Sequence, residues 1–263
     1  MVSFAGETAE FYASYRRGFD YASAAFVADN LGVGSDSLVV DVGCGGGQLT
    51  IPLASRALHV LGIDPEPQML AHARDAAASA GMAGTTSWLL GSAAELPALA
   101  DLLGSGRVDA LTMSNAAHFV DTRRLARDLR GLLGAGGTVG VIASGVPIWA
   151  QDSRWSAALR EFVMTRHDTD LSSARYTDEH TLQRCQDDLE AVGFTTRRDR
   201  LARRTAVSGE WLLGNLFSAM SSDWIPAPSE RARYAADFTA ALRRAQPTGE
   251  FVEDTGISML VAE

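Results

Sequence analysis

Gly43, Gly45 and Gly47 follow the apolar run SLVVDV and open the segment GCGGGQL. Glycines at the end of a strand let the backbone approach a ligand closely, and a helix starting there presents free amides. They also make a plain tight turn. Asp41 lies two residues before the first of them. Its carboxylate would repel a pyrophosphate and suit a cationic or zwitterionic ligand. A dinucleotide fingerprint, G-x-G-x-x-G, needs a third glycine at position 48, where Gln48 stands. Asp64 ends the next apolar run, HVLGID. An acid at the end of a second strand can accept both hydroxyls of a ribose, or it can cap the following helix. His118, in SNAAHFVD, is the candidate general base; the competing reading is a structural imidazole hydrogen-bonded in its loop.

These residues must be held by strands alternating with helices. The pattern predicts a helix over 8–31, with Tyr12, Tyr15, Phe19, Ala22 and Phe26 as its apolar stripe. It predicts strands at SLVVDVG, HVLGID, TSWLLG, VDALTMSN and TVGVIAS, with helices at QLTIPLASRA, EPQMLAHARDAAASAG and 122–134. The strands are continuous apolar runs, so the sheet is parallel and covered on both faces. The expected fold is α/β, a doubly wound Rossmann-like sheet over residues 32–145. Residues 1–31 form a helical cap, 146–220 a partly helical lid and 221–263 the last helix and a final strand, GISMLVA, all within one domain, 1–263. Further helices are expected at 147–167, 177–192, 208–220 and 228–245, and a strand at FTTRRDRL.

Composition narrows the function classes. The 263 residues are 46% hydrophobic and 21% charged, with a formal net charge of -9. Every one of the 23 basic residues is arginine, which excludes Schiff-base chemistry on a lysine. An acidic chain has no global footprint for phosphate backbones, so nucleic acid is not the expected partner. Cys44 and Cys185, the two cysteines, form no metal or redox spacing. Cys44 reads as packing, and no metal is expected. No leader or membrane span is read, and the expected compartment is the cytoplasm. Oligomeric state is not legible.

DVGCGGGQ, GID followed by ML, GSAAELP and SNAAHFVD together resemble a class I S-adenosylmethionine-dependent methyltransferase, of the small-molecule type 11/25-like group. The resemblance covers residues 8 to about 145 motif by motif and the whole chain in layout. It implies a seven-stranded sheet with an antiparallel last strand and S-adenosyl-L-methionine as cofactor. It implies that Asp41 and the backbone of Gly43 and Gly45 hold the methionine part, and that Asp64 holds the ribose. Gln68 and Met69 would border the adenine, Ser92 and Ala93 its edge, and Asn115 the sulfonium. Tyr15 and Arg16 resemble the family's N-terminal pair that closes over the cofactor.

The remaining candidates read mostly as structure. His167 and His180 are expected to be solvated lid histidines. Arg197, Arg198, Arg200, Arg203 and Arg204 read as a solvated edge that discourages strand pairing, or as an anion site. Trp211, Leu213, Phe217, Met220 and Trp224 are core or substrate wall. SNAAH replaces the Pro-Pro-aromatic motif of adenine and glutamine N-methyltransferases, and Asp121 alone makes no catechol-type metal site.

The expected function is methyl transfer to an O, N or C atom of a small molecule, a specialised metabolite in a biosynthetic setting. One alternative is a protein of the same fold that binds the cofactor and catalyses a cyclisation or rearrangement. Another is an NAD-dependent dehydrogenase, disfavoured by Asp41 and Gln48. RNA methylation is disfavoured by the charge.

Overall fold

Val39 and Val40 point to opposite faces of one strand, and both are fully buried. A strand covered on both sides needs helices above and below it. The computed structural model describes residues 7–171, 176–220 and 224–263 and divides the chain into two units.

The sheet unit comprises Arg17–Ser144, Tyr176–Leu201 and Ile257–Glu263. Its strands are β1 (Leu38–Val42), β2 (His59–Asp64), β3 (Thr86–Leu90), β4 (Val108–Ser114), β5 (Leu133–Ser144), β6 (Thr196–Leu201) and β9 (Ile257–Ala262). They form one seven-stranded sheet in the order β3-β2-β1-β4-β5-β9-β6. Neighbours from β3 to β5 are parallel, and β9 runs antiparallel to both β5 and β6. The expected seven strands and antiparallel last strand are both present.

Alternation sorts the two faces. Val40, Val42, Leu111, Met113, Val139 and Val141 pack with α5 (Leu96–Leu103), α6 (Thr122–Leu132) and α8 (Glu179–Glu190) through Leu99, Leu129 and Leu189. Val39, Val60, Ala110, Ile142 and Val261 pack with α2 (Tyr21–Asn30) and α3 (Thr50–Ala54) through Val27, Leu31 and Leu53. α4 (Pro67–Ser79) follows β2. β1 pairs with β2 on one side and β4 on the other. Successive connections therefore leave β1 in opposite directions, which opens a crevice at the carboxyl ends of β1 and β4.

The helical unit comprises Met1–Arg16, Gly145–Arg175 and Ala202–Gly256. It contains α1 (Glu7–Tyr15), α7 (Arg154–His167), α9 (Gly209–Phe217), α10 (Arg231–Ala245) and a two-stranded antiparallel sheet of β7 (Arg204–Val207) and β8 (Phe251–Asp254). Its core is aromatic. Phe162 meets Tyr234 and Phe238 edge-on, and Phe217 packs on Phe11 and Tyr234. Phe217 and Met220 are buried in this cluster, and half-buried Trp211, Leu213 and Trp224 pack against it.

Several expectations are corrected. The helix over 8–31 is two helices, because Gly18 breaks the run and the Asp20 side chain caps α2 by accepting the Ser23 amide. QLTIPLASRA yields only the five-residue α3 after a series of turns. The helix expected from 147 begins at Arg154, capped by Ser153. α5, β7 and β8 were not expected at all. His167 is not solvated: its ring stacks on Trp224 at 5.1 Å and its Nε2 lies 3.0 Å from the Tyr234 hydroxyl. Burial lowers the His167 pKa and pushes Tyr234 up to about 12. His180 is exposed, as expected. The arginine run is divided. Arg197, Arg198 and Arg200 lie on β6, the outer strand of the large sheet, while Arg204 lies on β7 in the other unit.

Candidate active site

The turn after β1 is built by positive φ angles, +71° at Gly43, +54° at Gly45 and +82° at Gly47. Residues with a Cβ rarely adopt them. A Cβ on Gly43 would also stand 2.5 Å from the Cβ of Ala116, so this turn lies directly against the loop after β4. The amides of Gly43 and Cys44 both donate to the Ile63 carbonyl, which ties the turn to β2. α3 begins only at Thr50, so turns rather than a long helix follow the glycines.

Asp64 faces the same turn from the end of β2. Its Oδ2 accepts the Gly45 amide at 2.8 Å and its Oδ1 accepts the Glu66 amide at 2.9 Å. The helix cap is supplied by Glu66, which accepts from the Gln68 amide, so Asp64 is not the N-cap of α4. Each Asp64 oxygen thus holds one hydrogen bond and keeps a lone pair. Burial raises the Asp64 pKa, against the two amide bonds that lower it.

Asp41 is 1% exposed. Its oxygens accept from two buried hydroxyls, Oδ2 from Thr50 at 2.6 Å and Oδ1 from Thr112 at 2.7 Å. Burial pushes its carboxyl up to about 6. The Cys44 thiol beside it is pushed upward by burial and by both aspartates, so it stays a neutral packing group. Thr50 and Thr112 were missed in the sequence. Thr112, a hydroxyl in the apolar run VDALTMS, was the available signal.

At the end of β4, Asn115 adopts φ +51°, a left-handed conformation that asparagine tolerates better than most residues. Its side chain bonds the Ser144 amide and carbonyl at 3.0 and 3.2 Å, clamping β4 to β5. His118 follows in a short 3-10 turn, half-buried. Its Nδ1 lies 3.0 Å from the hydroxyl of Thr177, another residue missed in the sequence. The ring also packs on exposed Phe119, with centroids 3.9 Å apart.

The Gly91 amide donates to the Asp64 carbonyl, which brings Ser92 beside the end of β2. Met69 is buried and Gln68 exposed on α4. Ser92 forms a capping box with Glu95, and Ala93 follows it. Tyr15 and Arg16 belong to the helical unit. The Tyr15 ring lies where a side chain on Gly214 would stand, and the Tyr15 carbonyl accepts from Asn215. The Arg16 guanidinium sits over Tyr12; burial lowers its pKa, and its Nε has no partner among the described residues. Nor do the described residues bring three metal-ligating side chains together.

Residues 39–137 match the methyltransferase-domain family. That span runs from β1 through the glycine turn, Asp64 and His118 to the start of β5. This segment of the chain is similar to methyltransferase domains, the family whose motifs the sequence resembles. The cofactor of this family is S-adenosyl-L-methionine. Uncharacterized methyltransferases of Mycobacterium tuberculosis and Mycobacterium bovis are 36% identical over 104 residues, 40% of this chain and 38% of theirs. The matched segment therefore spans well under half of those curated relatives.

The fold is similar to solved structures at low identity. Precorrin 8W decarboxylase of Methanobacterium thermoautotrophicum aligns with a TM-score of 0.57 at 14% identity, covering 95% of this chain and 94% of that one. The YcgJ protein of Bacillus subtilis aligns at 0.55 and 14%, covering 92% and 98%. Precorrin-6y C5,15-methyltransferase of Geobacter metallireducens aligns at 0.52 and 11%, covering 92% and 87%. The match to the methyltransferase-domain family favours the methyl-transfer reading over the NAD alternative, in line with Gln48.

Proposed function

We propose that this chain binds S-adenosyl-L-methionine on the sheet unit and transfers its methyl group to an O, N or C nucleophile of a small organic molecule. The observation that carries the reading is Asp64. It holds the glycine turn by one amide and keeps a lone pair on each oxygen, enough to accept two ribose hydroxyls. The turn itself has the positive φ angles that glycine adopts without cost.

When bound, the cofactor supplies a methyl group already activated by the sulfonium. The residues have only to hold, orient and take a proton. Gly43 and Gly45 receive the methionine part, with the Asp41 charge behind them. Gln68, Met69, Ser92 and Ala93 border the adenine. Asn115 fixes the end of β4 beside the reacting atoms. The assignment of Tyr15 and Arg16 to the cofactor rests on the family resemblance alone.

His118 is the proposed general base. Thr177 holds the Nδ1 side of the imidazole, and Nε2 is the nitrogen proposed to take the nucleophile's proton. A hydroxyl nucleophile would lose its proton to Nε2 as its oxygen takes the methyl group from sulfur, and an ammonium would lose its proton beforehand, since its nitrogen has no lone pair until then. Exposed Phe119 beside the imidazole supports a substrate with an apolar body. A specialised metabolite in biosynthesis fits this reading.

The test is release of S-adenosylhomocysteine from S-adenosyl-L-methionine in the presence of a panel of small phenols, amines and carboxylic acids. Release that depends on one panel member, and falls in His118→Ala, is the expected result. Tight cofactor binding with a rearranged, unmethylated product would favour the non-methylating alternative.

A further inference from the structure

Asp41 is sealed from solvent. Both of its oxygens are engaged by hydroxyls that come from different elements. Thr50 is the first residue of α3, and Thr112 stands opposite Asp41 in the β1–β4 register. Each threonine is fully buried. A hydroxyl has one proton to donate, and both are directed at the same carboxylate. These two hydroxyls, together with the Thr50 amide, favour the charged form.

We propose that Thr50 and Thr112 are positioning residues that keep Asp41 charged beneath the glycine turn, so that the turn takes the ammonium end of an amino-acid-bearing ligand. The inference rests on the cofactor reading above and adds to it the pair of residues that maintains the charge.

The balance at Asp41 is close. Burial pushes its pKa up to about 6 and the Asp64 charge pushes the same way, while Thr50 and Thr112 pull it down. The ionisable groups felt at Asp41 are Asp64, at the end of β2, and Cys44, in the turn. Cys44 stays neutral, so of these two Asp64 is the charge that titrates beside it. With both hydroxyls present, Asp41 is ionised at neutral pH. Without one of them the proton binds more tightly, and the turn loses its charge in the physiological range.

The test is calorimetric titration with S-adenosylhomocysteine from pH 5 to 8, on wild type, Thr50→Val, Thr112→Val, the two Thr→Ser variants and Asp41→Asn. Wild-type affinity should fall as pH drops through about 6. Each valine variant should move that midpoint up by roughly one pH unit, the scale of one charged hydrogen bond. The serine variants should restore the wild-type profile, and Asp41→Asn should bind weakly with no such midpoint. Valine variants that lose affinity equally at every pH, or not at all, overturn the proposal.

Should the valine variants fail to fold, the carboxyl titrations of Asp41 and Asp64 are followed separately by NMR in wild type. Saturating S-adenosylhomocysteine should lower the Asp41 midpoint. An unchanged midpoint overturns the proposal. Absence of binding by wild type at any pH is a different failure, that of the cofactor reading itself.

Discussion

The Asp64 carboxylate accepts the Gly45 amide at 2.8 Å, so the acid at the end of β2 shapes the turn at the end of β1. Its second oxygen holds the Glu66 amide and fixes the approach to α4. One side chain thereby sets the geometry of two loops before any ligand arrives. Preorganisation of this kind saves the ordering cost on binding.

Asp64→Ala should therefore weaken S-adenosylhomocysteine binding by about 1.5–3 kcal/mol, the scale for hydrogen bonds to a charged group. Calorimetry on the folded variant reads it directly. Unchanged affinity would leave Asp64 a turn builder only.

Asp41 gives a pH signature to stability. Burial raises its pKa from 3.8 to about 6, so the folded state binds this proton more tightly than the unfolded chain. The stabilising contribution is complete below about pH 4 and is lost as pH rises through about 6. The difference is about 3 kcal/mol. Melting of Asp41→Asn and wild type, compared from pH 4 to 7, should show the variant gaining on wild type as pH rises. A constant gap would mean that Asp41 titrates normally.

His118→Ala should lower turnover by about 10²–10⁴-fold while cofactor affinity barely moves. Thr177→Val should lower it less, because the imidazole is kept and only its orientation is loosened. A loss below about tenfold in His118→Ala, with the wild-type pH profile intact, would assign the reaction to placement alone.

Gly43→Ala tests the close packing of the two loops. The added methyl meets Ala116 at 2.5 Å and must be carried at φ +71°. Thermal unfolding should show a loss of about 2–4 kcal/mol, from the left-handed backbone and the overpacking together. A stability equal to wild type would mean that the turn and the β4 loop separate freely.

Legibility of the sequence followed the length scale of the interaction. Mostly apolar runs marked β1, β2, β3 and β4 within a residue or two, because burial in the sheet leaves few polar positions. The break at Gly18 was hidden by an aromatic stripe that continues through it. β7 and β8 were hidden because their pairing joins residues 204–207 to 251–254, far apart in sequence. In the site, Asp64 stood out by its place at a strand end. Thr50, Thr112 and Thr177 did not, since a threonine's partner is set by the tertiary fold. His167 seemed solvated because nothing local announces Trp224 and Tyr234 as its neighbours.

The central claim is that the crevice bounded by Gly43, Gly45 and Asp64 is a cofactor site for S-adenosyl-L-methionine. Parallel calorimetric titrations of the wild-type chain with S-adenosylhomocysteine and with NAD test it most directly. Saturable binding of S-adenosylhomocysteine, weakened in Asp64→Ala, with no heat from NAD, is the predicted result. Saturable binding of NAD with none of S-adenosylhomocysteine would contradict it.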